Sequence, residues 1–101
     1  MLNQVVIVGK IKEFVKINED CQIKVLVQRP FKNEDGEYGS DLIPVMCHKT
    51  LADNVAQYCT EDDIIGVKGR IENIDGKIIV IADKITFLSS RTNKEEENNE
   101  Q

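Results

Sequence analysis

The chain has 101 residues, of which 41% are hydrophobic, 31% charged and 5% aromatic, a profile that fits one small domain and excludes a multidomain enzyme. Its net charge of −5, from 13 Lys and Arg against 18 Asp and Glu, argues against binding polyanions by bulk charge alone. No apolar run approaches the ~20 residues of a membrane span. Residues 1–10 lack the charged, long-apolar and small-residue regions of a secretion signal, so a cytoplasmic protein with no membrane contact is expected.

Charge is unevenly distributed. Residues 91–101 hold Arg91 and Lys94 with Glu95, Glu96, Glu97 and Glu100, which leaves 11 bases against 14 acids over residues 1–90. That body is near enough to neutral for one of its faces to be basic. Three cysteines, Cys21, Cys47 and Cys59, are an odd number without paired short spacings, so no disulfide framework is expected. Cys47, His48 and Cys59 find no second close pair to complete a zinc set. The expectation is free thiols acting as small hydrophobes, with no metal and no cofactor.

In chain order, residues 5–11 (V-V-I-V-G-K-I) read as a mostly buried strand in which Gly9 marks a bend. A second strand over residues 21–28 places Ile23, Val25 and Val27 on one face and Gln22, Lys24, Leu26 and Gln28 on the other. Residues 29–40 (R-P-F-K-N-E-D-G-E-Y-G-S) read as a long polar hairpin loop. A third strand over residues 42–48 contains Pro44, which favours an edge or a bulge.

The period then changes. Residues 49–59 space Leu51, Val55 and Tyr58 at i, i+4 and i+7, the pattern of one short amphipathic helix. Residues 64–71 return to strand character with Gly66 and Gly69 as bend candidates, and Asp75-Gly76 signals a tight hairpin into a fifth strand over residues 78–88. The order is three strands, a helix and a two-stranded hairpin. That makes an all-β chain with one short helix, in the order of the five-stranded oligonucleotide/oligosaccharide-binding (OB) barrel. Residues 1–89 are expected to form this domain, and residues 90–101, without apolar groups, a disordered acidic tail.

Several segments resemble one family, the bacterial single-stranded-DNA-binding proteins. They are the opening M-L-N-Q-V-V-I-V-G-K of residues 1–10, R-P-F-K-N of residues 29–33 followed by Gly36-Glu37, and L-A-D-N-V-A of residues 51–56. G-V-K-G-R-I of residues 66–71 and A-D-K-I-T-F-L of residues 82–88 complete the set. The match runs in order from residue 1 to about residue 89, on a short and divergent chain.

The resemblance implies a barrel that binds single-stranded DNA with little sequence preference, in replication, recombination or repair, as a homotetramer or an equivalent set of barrels such as a homodimer. Such binding stacks bases on aromatic rings and neutralises phosphates, and it needs no covalent chemistry. By position, Phe31 resembles a base-stacking residue, Arg29 and Lys32 flank it as phosphate contacts, and Lys10, Lys49 and Arg70 sit where the family often places bases. Two further positions that are usually aromatic hold Leu42 and His48 here; His48 stacks only weakly. Tyr38, on the same loop as Phe31, is a compensating candidate. The resemblance also implies an oligomer that buries the first-strand surface and Ile43.

The chain departs from the family by a strand 4 to strand 5 loop cut to residues 73–77 and by the absence of the Pro-Phe tip through which the family recruits partners. Tyr58 and Phe87 read as core or interface residues, and Phe14 stays undecided. His48 has no nucleophile motif beside it, and Asp62-Asp63 reads as a solvated turn. The alternative function is an accessory, primosomal-type barrel that acts mainly through protein contacts and binds DNA weakly.

Overall fold

Alternating apolar residues do form the strands, which run past the points where the alternation stops. The computed structural model describes residues 1–89; the tail expected over residues 90–101, and with it the expected absence of a recruitment tip, lies outside the described residues. The elements are β1 (Val5–Ile17), β2 (Asp20–Lys32), β3 (Tyr38–Cys47), α1 (Lys49–Tyr58), β4 (Ile64–Ile74) and β5 (Lys77–Ser89). The strands close into a barrel in the order β1-β2-β3-β5-β4, with β4 returning to β1. Every pairing is antiparallel except the short β3–β5 contact at Val45↔Val80 and Met46↔Ile81. This is the five-stranded OB barrel that the element order predicts.

β1 is six residues longer than its alternation suggests because a bulge interrupts it. Ile11 pairs with Val25 and Glu13 with Lys24, leaving Lys12 extra. The bulge flips the inward set: Ile11 faces the core, and beyond it Phe14 lies opposite Ile23. β1 also changes partner, pairing with β4 through Lys10 and with β2 from Lys10 onward. At this crossing Gly9 is required, since a Cβ there would lie 2.3 Å from the Leu26 carbonyl oxygen.

The long loop expected over residues 29–40 is largely strand. β2 runs to Lys32 and β3 starts at Tyr38, so residues 33–37 alone form the turn, held by Asn33 Oδ1 accepting from the Asp35 and Glu37 N–H groups. Pro44 pairs with Lys24 of β2, and β5 joins β3 only from Val45 onward. The proline nitrogen is therefore tolerated where β3 has a free edge.

The core gathers Ile23, Val25, Val45, Ile65 and Val67 with Ala52 and Val55 of α1. His48 precedes α1 without capping it; the Asp20 carboxylate at the start of β2 accepts the Lys49 N–H at 3.2 Å instead. Cys59 follows the helix, its N–H donating to the Val55 carbonyl.

One expectation is corrected and one narrowed. Asp63 is not a solvated turn residue: it is 4% exposed, and its carboxylate accepts from both the N–H and the hydroxyl of Thr60. Tyr58, although on the apolar helix spacing, is 67% exposed, and Phe87 is exposed too. Both line an open groove between α1 and β5, so of the two roles expected for them, core or interface, the single chain excludes only the core. A ten-residue helix offers one narrow buried stripe, which Ala52 and Val55 fill.

Candidate nucleic-acid interface

The β2–β3 arm positions the aromatic candidates. Gln28 pairs with Ser40 and Lys32 with Tyr38, so Arg29, Pro30 and Phe31 together oppose Gly39. Pro30, which cannot donate to a ladder, sits inside this bulge. The bulge turns Phe31 outward, leaving it 68% exposed. A phenylalanine that exposed loses hydration free energy unless something covers it, which fits a stacking surface.

Tyr38 is half exposed, and the Lys32 ammonium lies over its ring at 5.7 Å from the centroid. Tyr38 also lines a shallow groove of about 400 Å³ with Lys10, Leu26, Gln28 and Ser40. Of the sequence candidates, Lys10 and Tyr38 line the groove, and Phe31 and Lys32 lie on the β2 side of the arm, Lys32 against Tyr38. Leu26 lies between Lys10 of β1 and Leu42 of β3 and gives the wall an apolar floor.

The arginines are differently placed. Arg29 donates from Nε and Nη2 to the two carboxylate oxygens of Asp41, at 3.0 and 2.8 Å. Its stem crosses Gly39, where a Cβ would meet Arg29 Cδ at 3.3 Å. Arg70 on β4 is held by Glu72 at 2.9 Å and by Asp83 at 3.0 Å. Both guanidinium groups are occupied by carboxylates in the free chain.

His48 and Lys49 lie at the start of α1 and do not line the groove. His48 Nδ1 is 3.2 Å from Asp20 Oδ2. The hydrogen bond from His48, then that from the Lys49 N–H, hold the Asp20 carboxyl below the usual carboxylate range. The Arg29 guanidinium does the same to Asp41. Among the described residues no group of three or more His, Cys, Asp or Glu is placed to hold a metal ion, and no helix is long and apolar enough to cross a membrane.

No family model matches the chain. Single-stranded DNA-binding protein 3 of Listeria innocua is 31% identical over 108 residues, which cover 92% of this chain and 68% of that protein. The chain belongs to the single-stranded DNA-binding protein family. Single-stranded DNA-binding protein B of Bacillus subtilis is 29% identical over 90% of this chain and 94% of its own length, so short members of similar size exist. The crystal structure of a small single-stranded DNA-binding protein from Mycoplasma pneumoniae superposes with a TM-score of 0.73 at 17% identity, covering 90% of this chain and 99% of that one. That likeness establishes the OB barrel.

Sequence reasoning missed the acids that occupy the arginines. Asp41 is invisible as a partner of Arg29 until the β2–β3 register sets the two side by side. It also missed Leu26 and Gln28 as groove wall, although their placement on the polar side of β2 was readable from the alternation.

Proposed function

We propose that this chain binds single-stranded DNA with little sequence preference, in replication, recombination or repair. Residues 1–89 act as the binding unit. The observation that carries the reading is the exposed pair Phe31 and Tyr38, flanked by Lys32 and Lys10, on the outer wall of a barrel of this family. Bases stack on the two rings at about 1–3 kcal/mol each, and the ammonium groups neutralise the phosphates between them. No step forms or breaks a covalent bond.

The binding unit is a homotetramer or homodimer in the cytoplasm, assembled through β1. Val5 to Gly9 pair with β4 on one edge and, among the described residues, have no strand partner on the other, while Leu2, Val6 and Val8 are exposed beside it. An unpaired edge with apolar flanks is a template for a second strand.

Fluorescence anisotropy with a labelled oligo-dT of roughly 35 nucleotides, long enough for several barrels at ~4–16 nucleotides each, tests the reading. Submicromolar binding that weakens steeply with salt, and a clear preference over duplex, is the expected result. Absence of binding at low salt overturns it and favours a second reading, an accessory barrel acting through protein contacts. The ion pairs that occupy Arg29 and Arg70 favour that second reading.

A further inference from the structure

Gln28 and Ser40 stand directly opposite each other on β2 and β3, the last pair of the ladder before the Arg29–Phe31 bulge. Both side chains are exposed, and both line the groove with Tyr38 and Lys10. Tyr38, Ser40 and Leu42 are the exposed members of an alternation along β3, so they share one face of the sheet. At ~3.4 Å per residue, Ser40 lies about 7 Å along the strand from Tyr38. A base spans a similar distance, so one stacked on the Tyr38 ring reaches the Gln28–Ser40 pair with its edge.

Two other polar side chains of the arm are committed within it. Arg29 is held by Asp41, and Asn33 closes the turn by accepting from the Asp35 and Glu37 N–H groups. Among the described residues, by contrast, the Gln28 amide and the Ser40 hydroxyl have no hydrogen-bond partner. The carboxamide carries a donor beside an acceptor, and the hydroxyl serves as either. Being uncharged, the pair neutralises no phosphate; Lys10 in the groove and Lys32 over the Tyr38 ring supply that charge. Its chemistry fits the polar edge of a base.

We propose that Gln28 and Ser40 read the edge of the base stacked on Tyr38 and give the barrel a preference for adenine at that one position. Every base sets a donor beside an acceptor on its Watson–Crick edge, but adenine alone repeats the pattern on its Hoogsteen edge, where N6 donates and N7 accepts. A carboxamide therefore matches adenine whichever way the base lies on the ring. This rests on the reading of the chain as a DNA-binding barrel and deepens it: the other contacts stay sequence-tolerant, because stacking and phosphate neutralisation read no base. The pair belongs to β2 and β3, whereas the contact between copies uses β1.

The test is the double variant Gln28→Ala/Ser40→Ala in the full chain, measured by anisotropy against oligo-dA and oligo-dT of one length over a salt series. Self-stacking weakens oligo-dA for parent and variant alike, so the readout is the change in the ratio of the two affinities. That ratio should shift at least fivefold against oligo-dA, the low end for one bidentate base contact. The salt slopes should stay as they are, since no charge is removed. Both affinities are read on the same protein, so any unfolded fraction cancels from the ratio. An unchanged ratio, with the parent binding oligo-dT normally, overturns this inference alone. An equal loss on both oligonucleotides makes the pair a contact to the DNA backbone and also overturns it. A parent chain that binds neither oligonucleotide overturns the functional reading and this site with it.

Discussion

Arg29 and Asp41 meet side-on, Nε to Oδ2 at 3.0 Å and Nη2 to Oδ1 at 2.8 Å, one strand apart at the mouth of the β2–β3 arm. A carboxylate in this two-pronged geometry occupies the donors that a phosphate would use. The pair is exposed, so its own contribution to stability is small, but it competes with DNA for the same guanidinium.

Asp41→Asn is therefore expected to tighten oligo-dT binding a few-fold and to steepen the salt slope by about 0.7, one phosphate on a single strand. Introducing Arg29→Gln as well should abolish the gain. A gain that persists without the arginine means that Asp41 acts only through general repulsion of the phosphates.

Phe31→Ala is expected to weaken oligo-dT binding by about 1–3 kcal/mol, roughly 5- to 150-fold, the range for one stacked base. Phe31 is 68% exposed, so circular dichroism and the melting temperature should be unchanged. Equal affinity in the variant and the parent removes Phe31 from the interface.

The elements themselves were legible in the sequence. Period-2 runs, the Asp75-Gly76 turn and the apolar spacing of α1 are local signals, and the barrel order follows from them. The strand ends were not legible, because bulges at Lys12 and in the Arg29–Phe31 segment break the alternation on which the reading depends. The aromatic and ammonium groups of the interface could be picked out as residue types, whereas the state of the arginines depends on register. Whether Arg70 faces solvent or Glu72 and Asp83 is a tertiary fact. Tyr58 divides the core-or-interface expectation for another reason: helical spacing identifies a stripe, and the barrel covers only its middle, which leaves the Tyr58 ring outside the core.

Gly69 predicts a stability effect. A Cβ there would lie 2.0 Å from the Ile81 carbonyl oxygen and 3.1 Å from Ala82 Cα, both main chain at the Asp83 bulge. Gly69→Ala is expected to cost about 3 kcal/mol, at the upper end for overpacking, and to lower the melting temperature by roughly 12–24 °C at ~4–8 °C per kcal/mol. Gly66→Ala, whose nearest neighbours are side-chain atoms at 3.7 and 3.9 Å, should be close to neutral. Equal melting temperatures for the two variants contradict the close approach.

The cysteines predict a labelling pattern. Cys21 and Cys47 are cross-strand partners, both fully buried, and burial pushes both thiols up. The thiolate is the reactive form, so an aromatic disulfide reagent at neutral pH should leave these two unmodified in the folded chain. Cys59, only half buried, should react slowly, although burial raises its thiol too. Full and rapid modification of all three without denaturant means that the barrel opens at its base far more readily than this packing allows.

Asp20 joins the barrel to the helix, accepting from His48 and from the Lys49 N–H, and these bonds lower its carboxyl below the ordinary value near 3.8. A carboxyl whose folded value lies below its unfolded one contributes stability that is complete above the unfolded value. That contribution is lost as pH falls through the folded value. The parent chain should therefore lose melting temperature below about pH 4, with Asp41 contributing in the same direction. Asp20→Asn cannot titrate there. It should melt below the parent at pH 7 and approach it between about pH 4 and pH 2, as the parent carboxyl protonates. A gap between the two chains as large at pH 2.5 as at pH 7 shows that the asparagine disturbs packing and not charge, and that the Asp20 carboxylate does not hold the start of α1.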